Sequence, residues 1–169
     1  NKPLDITAGP CRGTQLYTYR LAVACTGQYA AAVGGVTPAA LHSAIVTTVN
    51  RVDGVYEQDL TIRLILVDNN DLIEFLDAST DPFNGNNNSG VLIYESQNVI
   101  DATIGSANYD VGHTFSTGGG GLAGLGVVCN NSSKAGGITG SPVPLGDGYD
   151  IDYVAHEMGH QFGATHTFN

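Results

Sequence analysis

The sequence predicts an α/β (α+β) fold, in which helices pack on one twisted mixed sheet. Apolar runs typical of strands alternate along the chain with segments of helical periodicity. One run, LTIRLILVD at 60–68, is apolar almost throughout, as expected of a strand buried on both faces. The chain has 169 residues and no internal repeat or linker, which favours a single domain over 1–169.

The N-terminal half predicts a strand–helix–strand unit. The expected order is a strand at 16–30, a helix at 36–54, a strand at 60–68 and a returning strand at 72–78. The helix has sharp end signals: Thr37 is suited to cap its N-terminus, Pro38 to occupy its first turn, and Gly54 to end it.

The C-terminal half predicts a polar loop, two helices and three strands. The expected order is loop 81–90, helix 91–105, strand 109–116, a glycine-rich run at 117–129 that becomes a short edge strand, strand 135–140 and helix 146–163. Asp147 or Asp150 could cap the last helix. The loop could hold Ca²⁺ through Asp81, but it lacks the alternating acidic ligands of a calcium loop, so a plain loop is favoured.

The composition excludes two classes of function. Acidic residues outnumber basic ones 16 to 6, for a formal charge of −10, and such a surface repels nucleic-acid phosphates. No apolar run is long enough for a membrane span. No leader sequence is visible in NKPLDITAGP, so either a cytosolic protein or a mature secreted form would fit.

Three cysteines leave the disulfide pairing open. Cys25 lies on the apolar side of the first predicted strand, which indicates a buried free thiol. A Cys11–Cys25 bond is not expected if that strand is straight, because the few residues between Cys11 and the strand cannot fold back along its whole length. Cys11 could pair with Cys129, or either could pair with a cysteine outside this chain.

The segment HEMGHQFGATH at 156–166 has the spacing of a metal site. His156 and His160 are four residues apart, so on a helix both imidazoles lie on one face and could reach one Zn²⁺ at about 2.0–2.1 Å. Glu157 is placed to act as general base on a metal-bound water. Gly163 is suited to end the helix, and the reversed chain would bring back His166 as a third ligand.

The remaining histidines and the single methionine receive structural interpretations. His42 is expected at the surface, and His113 is expected to be structural because it lies on a predicted strand. Met158 is expected to face the core beneath the last helix, together with Val154 and Phe162.

The pattern His-Glu-x-x-His-x-x-Gly-x-x-His resembles the signature of the metzincin zinc peptidases. The order of elements is also similar to that family's upper subdomain, with two backing helices, an antiparallel edge strand above the cleft and an active-site helix. The runs YDVGHTFS, GGGGLAGLGVVC and AGGITG most resemble bacterial reprolysin-like (adamalysin-related, M12B-type) enzymes. The resemblance implies a secreted zinc endopeptidase that hydrolyses peptide bonds of proteins.

Two positions depart from that resemblance. Adamalysins proper carry Asp after the third His, where this chain has Thr167, which affects the subfamily and not the zinc site. The family's Met-turn follows the third ligand, whereas the only methionine here is Met158. We therefore expect the chain to be the upper part of a catalytic domain, with the Met-turn and the pocket wall in another part of the same protein or on a separate chain.

The expected substrate is a protein or peptide bound as an extended strand. Gly124, Leu125 and Gly126 in the glycine-rich run are predicted to form a backbone shelf for it, although a flexible loop fits these residues equally well. Two alternatives stay open, namely a non-catalytic zinc-stabilised binding domain and another HExxH-type metal amidase. Glu157 argues against the first, because a structural zinc site needs no base.

Overall fold

The computed structural model describes residues 14–118 and 120–166, which build one five-stranded sheet with helices on both faces. The strands are β1 Tyr17–Cys25, β2 Ile62–Leu66, β3 Val111–Ser116, β4 Gly120–Ala123 and β5 Gly137–Gly140. The helices are α1 Gly27–Ala32, α2 Pro38–Leu60, α3 Ser89–Thr103, α4 Asp147–Tyr149 and α5 His156–Gln161. The strand order is β2-β1-β3-β5-β4, and only β4 is antiparallel to its neighbour. The mixed α/β fold is confirmed.

Strand β1 lies within the sheet and separates two apolar cores. Leu21, Val23 and Cys25 point into the core shared with α2 and α5, whereas Ala22 and Ala24 point into the core beneath α3. All five side chains are fully buried. Cys25 is a free thiol as expected, and burial raises its pKa. The pairing of Cys11 falls outside the described residues.

The first strand is shorter than the predicted 16–30. It ends at Cys25, because the hydroxyl of Thr26 accepts a hydrogen bond from the backbone N–H of Tyr29 at 3.2 Å and caps α1. The segment after Cys25 therefore turns into a helix that packs Tyr29 and Ala30 into the core.

Helix α2 begins as predicted and ends later than predicted. The hydroxyl of Thr37 accepts the N–H of Ala40 at 3.2 Å, so the N-cap is confirmed. Gly54 does not end the helix, which continues to Leu60. The additional turns are stabilised by tertiary contacts, since the buried Tyr56 donates its hydroxyl hydrogen to the carbonyl of Ala155 at 2.7 Å.

The prediction of a returning strand at 72–78 is wrong. A 3₁₀ turn occupies Asn70–Ile73 instead. The buried Asn70 side chain accepts the N–H of Val23 at 2.8 Å and donates to the carbonyl of Val23 at 3.0 Å. This amide takes the place of strand backbone beside β1, and only an isolated parallel bridge between Cys25 and Glu74 follows it.

The helix predicted over 146–163 is not one regular α-helix. Its middle, Asp150–Ala155, is a π-helical segment between α4 and α5. Neither predicted aspartate caps it: the carboxylate of Asp147 pairs with Arg51 at 2.6 Å, and Asp150 accepts the hydroxyl of Thr48 at 2.8 Å. Both side chains thus bind α2 rather than the first turn of their own helix.

The other elements lie where they are predicted, with bounds shifted by a few residues. Asn88 caps α3 through a 3.3 Å hydrogen bond from the N–H of Val91. The glycine-rich run forms an antiparallel edge strand as expected, but the strand is limited to Gly120–Ala123. Within the described residues, no helix has both the length and the apolarity that a bilayer span requires.

Candidate metal centre

Three histidine side chains converge at the C-terminal end of the last helix. His156 and His160 lie one turn apart in α5, and the chain reversal after Gly163 returns His166 beside them. Their three Nε2 atoms are separated by 3.0, 3.1 and 3.0 Å. Among the described residues, these three form the only group of three or more metal-ligating side chains close enough to hold one ion.

The spacing of the three imidazoles and the tautomer of His160 fit a zinc ion. Zn–N bonds of about 2.0–2.1 Å in a tetrahedral site place two nitrogens about 3.3 Å apart, close to the separations found here. Nδ1 of His160 lies 2.6 Å from the carbonyl oxygen of Ala164, which can only accept, so this nitrogen carries the hydrogen. In the neutral ring, the lone pair of His160 is then on Nε2, the atom directed at the other two histidines.

Gly163 makes the chain reversal possible. Its φ of 101° lies in the left-handed region that favours glycine. Its N–H donates to the carbonyl of His160 at 2.8 Å, and the N–H of Ala164 donates to the carbonyl of Gly159 at 2.9 Å. These bonds and this backbone angle end α5 and reverse the chain.

Glu157 lies beside the three histidines and against the edge strand. Its side chain is only 8% exposed. A Cβ atom added to Gly121 of β4 would lie 2.3 Å from the carboxyl carbon of Glu157, so only glycine leaves room for this carboxyl group. Burial raises the pKa of Glu157, and the charges of His160 and His166 partly offset that effect. A raised carboxyl pKa is the adjustment that suits a general base near neutral pH.

A cavity of about 250 Å³ connects the carboxyl group, the histidines and the edge strand. Its walls are Gly121, Leu122, Ala123, Leu125, Glu157, His160 and His166. Strand β4 ends the sheet, so its second edge pairs with no other strand within the described part of the chain. This cavity is the space in which a peptide could lie between a strand edge and a metal ion.

The shelf predicted at Gly124, Leu125 and Gly126 lies just beyond β4. The N–H of Gly124 donates to the carbonyl of Gly136 at 2.8 Å, and that of Gly126 donates to His160 at 2.9 Å. Leu125, 58% exposed, lines the cavity beside Glu157. A role of these residues in substrate binding stays a prediction, and the strand edge itself lies a few residues earlier in the chain.

A buried polar network fixes α5 to the sheet and was not predicted. Gln161 accepts a hydrogen bond from Nδ1 of His113 at 2.8 Å and donates to the carbonyl of Gly112 at 2.8 Å. The other ring nitrogen of His113 then accepts the hydroxyl of Thr139, also at 2.8 Å. Burial lowers the pKa of His113 to about 4, and the bond to Gln161 partly opposes this. The structural interpretation of His113 is confirmed.

The sequence contained one signal for Gln161. It directly follows His160, and one residue along a helix is a rotation of about 100°, so it had to point away from the ligand face. The groups of β3 that bond to Gln161 lie 48 and 49 residues earlier in the chain, so residues adjacent to Gln161 in the sequence do not predict them. Met158 is also fully buried, and it packs with Val154 and Phe162 as predicted.

The structure does not support the calcium site considered at Asp81. One carboxylate oxygen of Asp81 accepts the N–H of Gly27 at 2.7 Å, and the other accepts that of Phe83 at 2.9 Å. The carboxylate therefore fixes the loop by binding backbone amides. His42 is half-exposed as expected and contacts the carboxylate of Glu74 at 2.8 Å.

The sheet with its antiparallel edge strand and the three-histidine helix together define a metzincin-like metallopeptidase. Sequence comparison agrees: the profile described as "Metallo-peptidase family M12B Reprolysin-like" matches residues 15–169. The chain belongs to this family of reprolysin-like peptidases, which are hydrolases that generally use zinc and are generally extracellular. No curated protein matches the chain.

Proposed function

We propose that this protein is a zinc-dependent endopeptidase that cleaves peptide bonds of protein substrates. One observation carries the proposal: three imidazole Nε2 atoms converge within 3.1 Å of one another, beside a buried carboxyl group and a free strand edge. A purely structural zinc site usually closes its fourth position with another protein ligand and needs neither a base nor a strand edge.

His156, His160 and His166 would hold the metal ion. A zinc ion bound by three neutral imidazoles lowers the pKa of a coordinated water towards 7 and polarises a carbonyl oxygen. The hydrogen bond from His160 to Ala164 keeps that ring in the tautomer required for binding.

Glu157 would move the proton. Its carboxylate is positioned to accept a proton from the attacking water and to deliver it to the nitrogen of the leaving amine. The absence of a side chain at Gly121 leaves room for the carboxyl group next to the strand edge, where the scissile bond would lie. Its burial excludes bulk water from the group that transfers the proton.

The substrate would bind as an extended strand along β4, with Gly124, Leu125 and Gly126 extending the contact beyond it. An unpaired strand edge offers N–H and C=O groups to an incoming backbone, and the small residues of β4 allow a close approach. We further propose that the enzyme acts outside the cell, as is general for reprolysin-like proteins.

The test compares wild-type full-length protein with its Glu157→Gln variant on a mixture of unfolded proteins. Gln keeps the size of Glu but cannot accept the proton, so we expect cleavage to fall by at least about 1,000-fold, within the range for loss of a general base. Zinc content, measured by atomic emission, should be unchanged. The matched control is Asp152→Asn, which neutralises an exposed acid of the preceding helical turn and should leave cleavage intact.

The two alternatives give different results in the same assay. A zinc-stabilised binding domain would bind zinc and cleave no protein, with or without Glu157. A metal amidase of another kind would hydrolyse small acylated amines and leave internal peptide bonds uncut. Either result would overturn the endopeptidase assignment.

A further inference from the structure

A second cavity lies between the edge strand and α3, and it shares Leu122 and Ala123 with the cavity beside the metal centre. It has a volume of about 440 Å³ and separates α3 from β4. Its principal walls are Ile93, Tyr94 and Asn98 on α3, Leu122 on β4, and Val127 and Ser133 in the following loop. Such a volume is within the range of about 300–1,000 Å³ typical of small-ligand pockets, so it can accommodate an aromatic side chain.

The two faces of β4 lead to these two cavities. Gly121 faces α5, because a Cβ atom there would meet Glu157. Leu122 faces α3, because its register partner Ile138 packs in the core beneath that helix. A peptide paired with the free edge of β4 would become a sixth strand, and its successive side chains would point alternately to the two faces.

We propose that the cavity between α3 and β4 is a specificity subsite that receives an uncharged apolar or aromatic side chain of the substrate. This inference rests on the proposed peptidase function. The residue that occupies the subsite would be an odd number of positions away from any residue whose side chain faces the metal centre.

The chemistry of the lining sets the class of side chain. None of the described residues around this cavity is ionisable except the phenol of Tyr94, whose ring is 74% exposed at the mouth. Leu122 is 38% exposed and presents an apolar surface to the cavity. A charged side chain would lose hydration there without gaining a partner, whereas an apolar one would be removed from water.

Of the two amide side chains in the wall, Asn98 is exposed to solvent and Gln97 is already bonded. The carbonyl oxygen of the Gln97 side chain accepts the N–H of Ala135 at 2.7 Å. Its nitrogen donates to Asp101 at 2.7 Å and to the hydroxyl of Tyr109 at 3.1 Å. Gln97 therefore has little capacity left for a substrate, and its side-chain stem adds to the apolar wall.

The experiment measures cleavage-site selectivity of the full-length protein on a diverse peptide library read by mass spectrometry. Tyr94→Lys places a positive charge at the mouth of the subsite. We expect the preference for Phe over Glu to fall roughly tenfold at one substrate position, the scale of a changed pocket contact. The matched control is Tyr17→Lys, the same exchange at a half-exposed site on β1, which should change no position.

A second variant tests the alternation. Leu125→Lys alters the cavity that contains Glu157, so it should shift selectivity at a different position. The positions affected by Tyr94→Lys and Leu125→Lys should be separated by an odd number of residues. An even separation, or unchanged selectivity in Tyr94→Lys while the wild type cleaves normally, overturns the subsite alone. Absence of cleavage by the wild type overturns the proposed function, and the subsite with it.

Discussion

The sheet has two outer strands, and they differ in nearly every property that governs access to a strand edge. Strand β2 has the sequence IRLIL, with Ile65 half-exposed, and Arg63 of this strand pairs with Glu57 of α2 at 3.3 Å. Strand β4 has the sequence GGLA and no charged residue. The groove beside β2 is lined by four ionisable residues, His42, Asp53, Arg63 and Asp68.

The difference extends to the backbone. The N–H of Leu64 in β2 donates to the carboxylate of Asp53 in α2 at 2.8 Å, so a side chain occupies a donor that a further strand could use. Burial raises the pKa of Asp53, and this hydrogen bond partly offsets the effect. Bulky and charged groups protect β2 from pairing, whereas the small residues of β4 leave its edge accessible beside Glu157. The accessible edge is the one beside Glu157 and the histidine cluster.

The largest expected effect comes from closing the accessible edge. Gly121→Ala adds a Cβ atom 2.3 Å from the carboxyl carbon of Glu157, so the carboxyl group must move. We expect kcat/KM for protein substrates to fall at least about 100-fold, or about 2.7 kcal/mol in the activation barrier. Zinc content should be unchanged, because the three atoms nearest the added methyl group all belong to Glu157 and not to a histidine.

The matched control is Gly54→Ala, the same exchange within α2. No atom lies within 4 Å of a Cβ at this position. Activity should be unaffected, and stability should rise by about 0.5–1 kcal/mol because alanine favours a helix interior. Retained activity in Gly121→Ala would show that the strand edge and the carboxyl group act independently.

The second largest effect is expected for the pH dependence of stability. It depends on the buried network in which His113 of β3 bonds to Gln161 of α5 and Thr139 of β5. The pKa of buried His113 is lowered to about 4, below the ordinary value of 6.5, so the unfolded chain binds more protons between these two pH values. The resulting stability is present above pH 6.5 and is lost as the pH falls towards 4. The loss attributable to His113 should approach about 3 kcal/mol, as its pKa shift implies.

Urea unfolding of the wild type and of His113→Gln across this pH range measures that loss. The variant cannot gain a proton there, so its stability should depend less steeply on pH, whatever its absolute value. Comparing the two proteins cancels the contribution of the groups that they share. Equal slopes would show that His113 is not the group responsible.

A smaller effect is expected at the protected edge. Asp53→Ala leaves the N–H of Leu64 without its acceptor and should lower the free energy of unfolding by about 1–2 kcal/mol. Asp53→Asn keeps an acceptor oxygen and should recover most of that loss. Peptidase activity should be unchanged in both.

The smallest effect is expected for the exposed ion pair between Glu57 and Arg63. Glu57→Gln removes this pair and should lower the free energy of unfolding by less than about 0.5 kcal/mol, which urea unfolding would measure.

Features specified by nearby residues were predictable from the sequence. Thr37 caps α2 with its own hydroxyl, and the four-residue spacing of His156 and His160 alone places both on one helix face. The reversal at Gly163 is equally local, because it depends on one backbone angle that glycine adopts readily.

Features specified by distant residues were not predictable. Gly54 looks like a helix end, but contacts of Tyr56 with Ala155 extend α2 beyond it. Asn70 contacts β1, which is remote in sequence, and so turns a predicted strand into a 3₁₀ turn. The space around Gly121 depends on where Glu157 lies after folding. In each case the deciding partner is tens of residues away in the chain.

The π-helical segment Asp150–Ala155 has a consequence for how this site tolerates insertions and deletions. The helix is anchored before it by the buried Tyr149 and after it by Gln161, which donates to the carbonyl of Gly112. A π turn holds roughly one more residue than an α turn, and each residue of an α-helix rotates its face by about 100°. Losing one residue here would convert the segment to a regular α-helix with nearly the same total rotation, so the histidines would keep both their mutual spacing and their direction. The length of the chain between Tyr149 and the metal-binding motif can therefore change by one residue at this segment without redirecting the metal centre.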